Sequence, residues 1–389
     1  MTDDVLDIPF ADAFAFDPSP TWARLRDEEP VARVRTLAGS HVWLVTRYDD
    51  VKLVLADPRF SRAGVVAAGA PRVGVSRPLP GTLPTTDPPE HTRLRKLVSG
   101  AFSHRRMEQT RQWVRELCEG LADGLVDGAD LRQVYALPLP IQVICTLLGV
   151  PYDDRERFRE WVELAYSLEM SEQPRVEAAM ASLLEYMGGL VAAKRRAPRS
   201  EDLLDELCAT ALTHDELVAF ALNLLVAGHE TSANQITSFV ATLLRERSAW
   251  ERLVDDPALV PTAVEELMRY TRLSEVGQLR VALEDVEVAG VVIRAGEGVM
   301  ASIGSANRDP RAFPAPDALD LARTPNQHLA LGSGPHFCLG AQLARVELQE
   351  ALRVLLRRFP QLRAARPVEE LAWRRVLVSG LAELPVRLL

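Results

Sequence analysis

The sequence predicts a mainly α-helical protein with small β-sheets, and three observations support this fold class. Apolar residues recur at helical spacing through most of the chain. The nearly uncharged segment Leu217–Leu244 is long enough to form a helix that crosses a whole globular molecule. Short β-branched runs at His41–Thr46 and Val286–Ile293 are bounded by glycine or charged residues, which is typical of strands.

The longest helix has a recognisable start. The hydroxyl of Thr213 can cap it while Glu216 reaches back from three residues further on, and the apolar pattern continues to about Glu246. About 33 residues at about 1.5 Å each give roughly 50 Å. Glu230 lies in the middle of the segment, and a charge at the centre of a bilayer is costly. We therefore expect a helix in the core of a soluble protein.

The organisation of the chain predicts one domain. No internal repeat or linker divides residues 1–389, and the β-rich parts are expected at about 30–60 and 280–330. The glycine- and proline-rich segment Ala63–Pro89 is expected to be a long loop, and such loops are usually functional. An amphipathic helix is expected over Leu339–Phe359.

Composition and charge exclude several classes of protein. Hydrophobic residues make up 47% of the chain and charged residues 25%, which argues against disorder. The formal charge of −9 gives no basic field for a phosphate backbone, so nucleic acid is not an expected partner. The acidic start Met1–Asp7 lacks the features of a signal peptide, which predicts a cytoplasmic protein without a membrane anchor.

The four cysteines are far apart and form no C-x-x-C pair, which argues against zinc ribbons and thioredoxin-like chemistry. Three of them stand in apolar patterns that predict structural thiols. These are Cys118, Cys145 and Cys208.

The fourth cysteine, Cys338, has a different setting. It lies in the segment His328–Gly340, at a junction between a loop and a helix. A helix start stabilises negative charge, and Gly332, Gly334 and Gly340 allow close approach of the backbone, so the position suits a thiolate. The alternative is a buried cysteine in a glycine-rich turn.

The long helix contains a second motif, Ala227–Thr231. Gly228 removes bulk where a ligand could approach, and the adjacent acid and hydroxyl of Glu230 and Thr231 offer a proton route into an apolar place. Alternatively, Thr231 only bonds a carbonyl one turn back.

Two charged pairs complete the motifs. Glu266 and Arg269 stand three apart on one helix face, which alone would be a weak surface pair. His91 and Arg95 stand four apart on a helix that follows two prolines, and such cationic donors suit a pair of carboxylates. A solvated charged face is the alternative for the second pair.

These motifs, in this order from residue 87 to residue 345, closely resemble those of the cytochromes P-450. The chain is identified as a soluble bacterial member of the actinobacterial, ferredoxin-dependent type. The resemblance implies a single-domain cytochrome P-450 fold that holds haem b, iron protoporphyrin IX, between a long distal helix and a proximal cysteine loop.

The resemblance also implies roles for individual residues. Cys338 would bind the iron, and Thr231 and Glu230 would be catalytic. The cationic or imidazole side chains that would contact the propionates are His91, Arg95, Arg280 and His336. The further residues that would line the cofactor are Ala227, Gly228, Leu331, Gly332 and Gly340. The residues that would form a structural network are Glu266, Arg269 and Arg323. The family usually has an aromatic residue where this chain has Leu331.

By family position, the substrate pocket is expected to draw on five largely apolar segments. They are residues 63–86, about 163–190, Leu224–Ala227, Leu273–Gln278 and Val378–Leu381.

The implied function is insertion of one oxygen atom of O2 into a mostly apolar small molecule, usually as hydroxylation. Electrons would come from ferredoxin and ferredoxin reductase with NAD(P)H, since the chain has no flavin or nicotinamide domain. Arg105, Arg106 and Arg345 are candidate docking charges, and a monomer is expected. Epoxidation, oxidative coupling and desaturation are alternative reactions. Two alternative classes of protein are a peroxide-driven enzyme, which typically lacks the acid–alcohol pair, and a haem-binding protein without turnover.

Overall fold

The protein is mainly helical with small sheets, and the predicted fold class is confirmed. The computed structural model describes residues 5–75, 77–197 and 202–388. The first four residues of the acidic start and Ser76 of the proline-rich segment lie outside the described residues.

The α-helices of the described residues follow one another along the whole chain. They are α1 (Thr21–Glu28), α2 (Tyr48–Ala56), α3 (Glu90–Val98), α4 (His104–Ala122), α5 (Pro138–Leu148), α6 (Arg155–Ala165), α7 (Gln173–Arg196), α8 (Leu203–Cys208), α9 (His214–Arg245), α10 (Arg247–Asp255), α11 (Val260–Tyr270), α12 (Ile303–Ala306) and α13 (Ala341–Arg358).

The strands lie near the two ends of the chain and after α11. They are β1 (Leu6–Ile8), β2 (Val31–Thr36), β3 (His41–Val45), β4 (Phe60–Ser61), β5 (Gln278–Ala282), β6 (Val286–Val288), β7 (Val291–Ile293), β8 (Gly298–Ala301), β9 (Arg363–Ala364), β10 (Trp373–Arg374), β11 (Gly380–Leu381) and β12 (Val386–Arg387).

The main sheet has six strands in the order β1-β2-β3-β8-β5-β4. Strand β8 is parallel to β3 and antiparallel to β5, so two distant parts of the chain share one sheet. Three two-stranded sheets pair β6 with β7, β10 with β11, and β12 with β9. The helices form a large hydrophobic core, and the main sheet contributes to two smaller ones.

Helix α9 forms as predicted. Thr213 and Glu216 make both hydrogen bonds of a capping box, and the helix ends at Arg245. It packs against α5, α7 and α13. Most of its side chains between Leu217 and Leu244 are buried, including that of Glu230, so this segment is a core helix.

A different helix is apolar and long enough to cross a membrane by length and composition alone. It covers Met170–Arg196, and 28% of its most apolar window is buried. This helix packs against α6 and α9. Core helices of soluble proteins pass the same test, so a single helix of this kind is weak evidence for a membrane span.

Two sequence-based expectations about strands need correction. The run Val286–Ile293 is a hairpin, because Ala289 and Gly290 both adopt positive φ angles (47° and 83°) and reverse the chain between β6 and β7. The second β-rich part ends earlier than expected, at Ala301. Residues 302–330 contain α12 and loop structure.

The proline-rich segment Ala63–Pro89 forms only short 3₁₀ turns, at Ala63–Val66 and Leu83–Thr85, within its described residues. Its middle packs against the connection between α6 and α7, where a Cβ on Gly74 would lie 3.1 Å from Cδ2 of Leu168. The same connection is tied to α9, because the hydroxyl of Tyr166 donates to a carbonyl of that helix at 3.0 Å. The loop and the α6–α7 connection therefore form one wall of the interior beside α9.

Candidate active site

Cys338 lies on a tight loop immediately before α13. Its backbone N–H donates to the carbonyl of Leu331 at 2.8 Å, and the 3₁₀ turn Gly334–His336 precedes it. Gly334 has a φ of +70°, and a Cβ there would lie 2.7 Å from Cα of Ala56 in α2. The glycine is required, because any side chain would push the loop away from α2.

The thiol of Cys338 does not lose its proton easily. Burial raises its pKa, although the backbone N–H of Gly340 and the charges of Arg95 and Arg345 act in the opposite direction. The N–H of Gly340, next to the start of α13, lowers the pKa of Cys338, which is the direction expected at a helix start. Burial has the larger effect on this pKa. A metal cation in contact with the sulfur would supply the missing charge, since a coordinating thiol loses its proton.

Beside this loop, the structure brings together the four side chains predicted as a propionate clamp. The rings of His91 and His336 have centroids 4.3 Å apart. Arg95 donates to the carbonyl of Pro335 at 3.0 Å, and Arg280 donates to the carbonyl of the residue before it at 3.3 Å. Nε2 of His91 and Nη2 of Arg280 are buried and have no hydrogen-bond partner among the described residues.

Positive charge is unfavourable on the clamp residues as long as no anion lies beside them. Burial, together with the charge of Arg280, lowers the pKa of His336 to about 3. Burial also lowers the pKa of Arg280 to about 8 and that of His91 below its usual value. A pair of carboxylates would satisfy the unpartnered donors and reverse these shifts. The residues present therefore fit the propionates of haem.

In the distal helix α9, Thr231 is held locally. Its Oγ1 donates to the carbonyl of Ala227 at 2.5 Å, which is the bond to the preceding turn that the sequence left as an alternative. Ala227 is exposed, while His229 and Glu230 are buried. The Ala227 carbonyl and the Thr231 hydroxyl thus form one polar notch in the helix.

Glu230 belongs to a buried ion network that the sequence did not reveal. Its Oε2 lies 2.6 Å from Nη1 of Arg374 and 3.3 Å from Nη2 of Arg132. Burial raises the pKa of the Glu230 carboxyl, but the neighbouring cations, Arg374 foremost, outweigh burial and bring it below its usual value. Arg374 also contacts the half-exposed Glu163 at 3.3 Å. The network therefore extends from Glu230 in the core toward the surface.

The comparisons with known proteins agree with this geometry. The family model described as "Cytochrome P450" matches residues 26–367. The chain belongs to the cytochrome P450 family. It is therefore a haem-binding oxidoreductase of the monooxygenase class, which takes a substrate, O2 and electrons from a redox partner.

Similar P450s act in bacterial natural-product chemistry according to their names. Nocardicin C N-oxygenase of Nocardia uniformis subsp. tsuyamanensis is 48% identical, with 98% of each chain covered. Mycinamicin IV hydroxylase/epoxidase of Micromonospora griseorubida is 44% identical over 97% of each chain. The solved structure of the putative thioether synthase SgvP, involved in tailoring griseoviridin, has a TM-score of 0.94 at 44% identity, covering 98% of this chain and 99% of that one.

The predicted structural residues of this P450 meet in a buried network. Glu266 accepts two hydrogen bonds of 2.7 Å from Arg269 and further ones from Arg323 at 3.0 and 3.1 Å. Arg269 also donates to the carbonyl of Asn307 at 2.8 Å. The amide oxygen of Asn307 accepts from the N–H of Leu329 at the start of the cysteine loop. The network thus ties the loop to α11.

Two of the three candidate docking arginines of this P450 are already paired. Arg345 donates to Glu265 at 2.7 and 2.9 Å, and Arg106 contacts Glu206. Their charges are therefore partly compensated within the chain, and the docking role of the three arginines stays a prediction. Arg105 is exposed and remains a candidate.

Glu347 of α13 is a buried acid that the sequence did not single out. Its Oε2 has no hydrogen-bond partner among the described residues, and burial raises its pKa to about 8, although a hydrogen bond from Ser232 opposes the shift. A folded-state pKa above the unfolded value means that the folded protein loses stability as the pH rises from about 4.5 toward 8.

We expect Glu347→Gln to remove this pH dependence. At pH 7 the variant should be more stable than the parent by up to about 3 kcal/mol, and near pH 4 the two should be alike. Urea unfolding at several pH values measures the difference, with the exposed Glu185→Gln as the control. A variant that is less stable than the parent at pH 8 would contradict the prediction.

Proposed function

We propose that this P450 inserts one oxygen atom of O2 into a mostly apolar, mid-sized secondary metabolite, with hydroxylation as the usual outcome. The observation that carries the proposal is the cluster of cationic and imidazole side chains beside the half-buried Cys338, in which His91 and Arg280 each keep a buried nitrogen without a hydrogen-bond partner among the described residues. The names of the similar proteins support the substrate class, because they describe oxygenation of bacterial natural products. Haem supplies the activation of O2 when it is bound.

The roles of the cofactor-binding residues are part of this proposal. Cys338 would bind the iron, and His91, Arg95, Arg280 and His336 would hold the propionates. Ala227 and Gly228 would border the distal face, and Leu331, Gly332 and Gly340 the proximal one. Glu266, Arg269 and Arg323 would keep the proximal loop in place. The whole chain, residues 1–389, would act as one domain.

Thr231 and Glu230 would handle protons on the distal side. The Thr231 hydroxyl donates to the carbonyl of Ala227, so its oxygen lone pairs remain able to accept a hydrogen bond from a ligand or water in the notch. Glu230 is held as a carboxylate by Arg374 and Arg132. Movement of Arg374 away from Glu230 would raise the pKa of this carboxyl and let it take a proton from the surface side of the network.

Ferredoxin and its reductase, with NAD(P)H, would supply electrons at the proximal face. His104 contacts Gln342 at 3.3 Å, so the exposed Arg105 lies beside the start of α13. Lys96 is also exposed, and the apolar ring of Phe337 next to the iron ligand is 39% exposed. An acidic ferredoxin would match the two cations and cover the ring. We further propose a cytoplasmic monomer.

The test is a turnover experiment with labelled oxygen. The purified protein is given ferredoxin, reductase, NADPH and candidate natural products that shift its haem spectrum on binding. One labelled atom in the product from ¹⁸O2, and none from labelled water, is the expected result. An unlabelled product would indicate coupling or desaturation, and equal turnover with peroxide alone would favour the peroxide-driven alternative.

A further inference from the structure

Arg62, which no sequence motif marked, lies in the same place as the predicted propionate clamp. Strand β4 pairs with β5 so that Phe60 faces Ala282 and Ser61 faces Val281. Arg62 follows Ser61 at the end of this strand, where the backbone turns into the 3₁₀ helix Ala63–Val66, so it lies next to the part of β5 that carries Arg280. Like charges that lie close together repel one another.

The hydrogen bonds of Arg62 bring the two guanidinium groups together. Nη1 of Arg62 donates to the carbonyl of Leu279 at 2.8 Å, and Nη1 of Arg280 donates to the same oxygen at 3.3 Å. Nε of Arg62 donates to the carbonyl of Pro84 at 2.7 Å. These acceptors are neutral, so they orient the guanidinium of Arg62 without compensating its charge.

The nearest carboxylate, Asp87, is engaged elsewhere. It accepts hydrogen bonds from Oγ of Ser61 at 2.5 Å and from the backbone N–H of Arg62 at 2.8 Å. It therefore fixes the turn that carries Arg62. The charge of Asp87 raises the pKa values of Arg62 and Arg280, but burial lowers both by more. Burial still lowers the pKa of Arg62 to about 10.

We propose that Arg62 is a fifth member of the propionate clamp and binds a haem carboxylate together with Arg280. This inference rests on the proposed function. Charge balance supports it, because Arg62, Arg95 and Arg280 carry three positive charges. Asp87 and the two propionates of haem together carry three negative ones. Without Arg62, the bound cofactor would leave a buried excess of negative charge, which is unfavourable.

The test compares Arg62→Gln with Arg59→Gln in the haem-loaded protein. Arg59 lies three residues earlier, but its side chain is exposed and pairs with Asp57. We expect Arg62→Gln to transfer ferric haem to excess apomyoglobin about tenfold faster than the parent, a change of about 1.4 kcal/mol. It should also lower the reduction potential, because a positive charge near the cofactor favours the reduced state. Arg62→Lys should change the haem transfer rate and the reduction potential less than Arg62→Gln does. Arg59→Gln should leave both quantities at the values of the parent.

Two results would overturn the inference. One is equal haem transfer and equal potential in Arg62→Gln and Arg59→Gln. The other is weaker binding of substrate by Arg62→Gln with both cofactor properties unchanged, which would assign Arg62 to the substrate. Failure of the proposed function would look different, since the parent protein itself would then not hold haem through Cys338.

Discussion

Cys338→Ser is expected to abolish the long-wavelength Soret band that the reduced, carbon-monoxide-bound parent protein should show. A serine hydroxyl is a poor ligand for haem iron, and the thiolate is the group that donates electron density to it. The loop itself should persist, because the hydrogen bond that positions residue 338 comes from its backbone N–H to Leu331. The measurement is a difference spectrum of the reduced protein with and without carbon monoxide.

Cys208→Ser is the matched control for this experiment. Cys208 is a free, half-buried cysteine at the end of α8 and belongs to none of the predicted sites. Its replacement should leave the spectrum unchanged. A parent protein with a histidine-like band, or a Cys338→Ser variant with the parent band, would remove Cys338 as the iron ligand.

Arg269→Met is expected to destabilise the protein by about 3–5 kcal/mol, because it removes one partner of a buried ion pair and leaves only Arg323 to compensate the charge of Glu266. The side chains of Arg269 and Glu266 are completely buried. Arg323 would remain near Glu266, but the bonds to the carbonyls of Asn307 and Pro316, both of 2.8 Å, would be lost. Urea unfolding gives the free energy, and haem retention should fall with it, since this network holds the cysteine loop.

The chain offers an exposed pair with the same spacing for comparison. Arg175 and Glu172 stand three residues apart at 2.9 Å, and the side chain of Arg175 is 63% exposed. Arg175→Met should cost less than about 1 kcal/mol, because exposed pairs contribute little. If both replacements had the same small effect, the Glu266–Arg269 network would not stabilise the fold.

The sequence predicted best those features that are encoded within a few residues. Thr213 and Glu216 lie three apart, so the start of α9 could be located from their spacing, and it was confirmed. Gly149 ends α5 with a left-handed backbone, and a glycine that is soon followed by a proline is a local signal for the end of a helix. The position of Cys338 just before α13 follows from the same kind of local signal.

The features that could not be predicted depend on partners far apart in the chain. Glu230 is separated from Arg132 by 98 residues and from Arg374 by 144. Nothing near either arginine indicates that it will meet a carboxylate in the core. The pairing of Arg345 with Glu265 is of the same kind, since its two members are 80 residues apart. Such residues meet only when the segment Arg132–Ala136 and β10 come to lie beside α9, and when α13 packs against α11.

The contact between Gly334 and Ala56 has a practical consequence for exchanging parts between members of this family. Because the two backbones touch with no room for a Cβ, the cysteine loop and α2 are shaped to each other. A chimera that receives the loop of a relative should also receive that relative's α2. A loop transferred alone would meet a foreign surface at its tightest point, and the sulfur would be displaced with it.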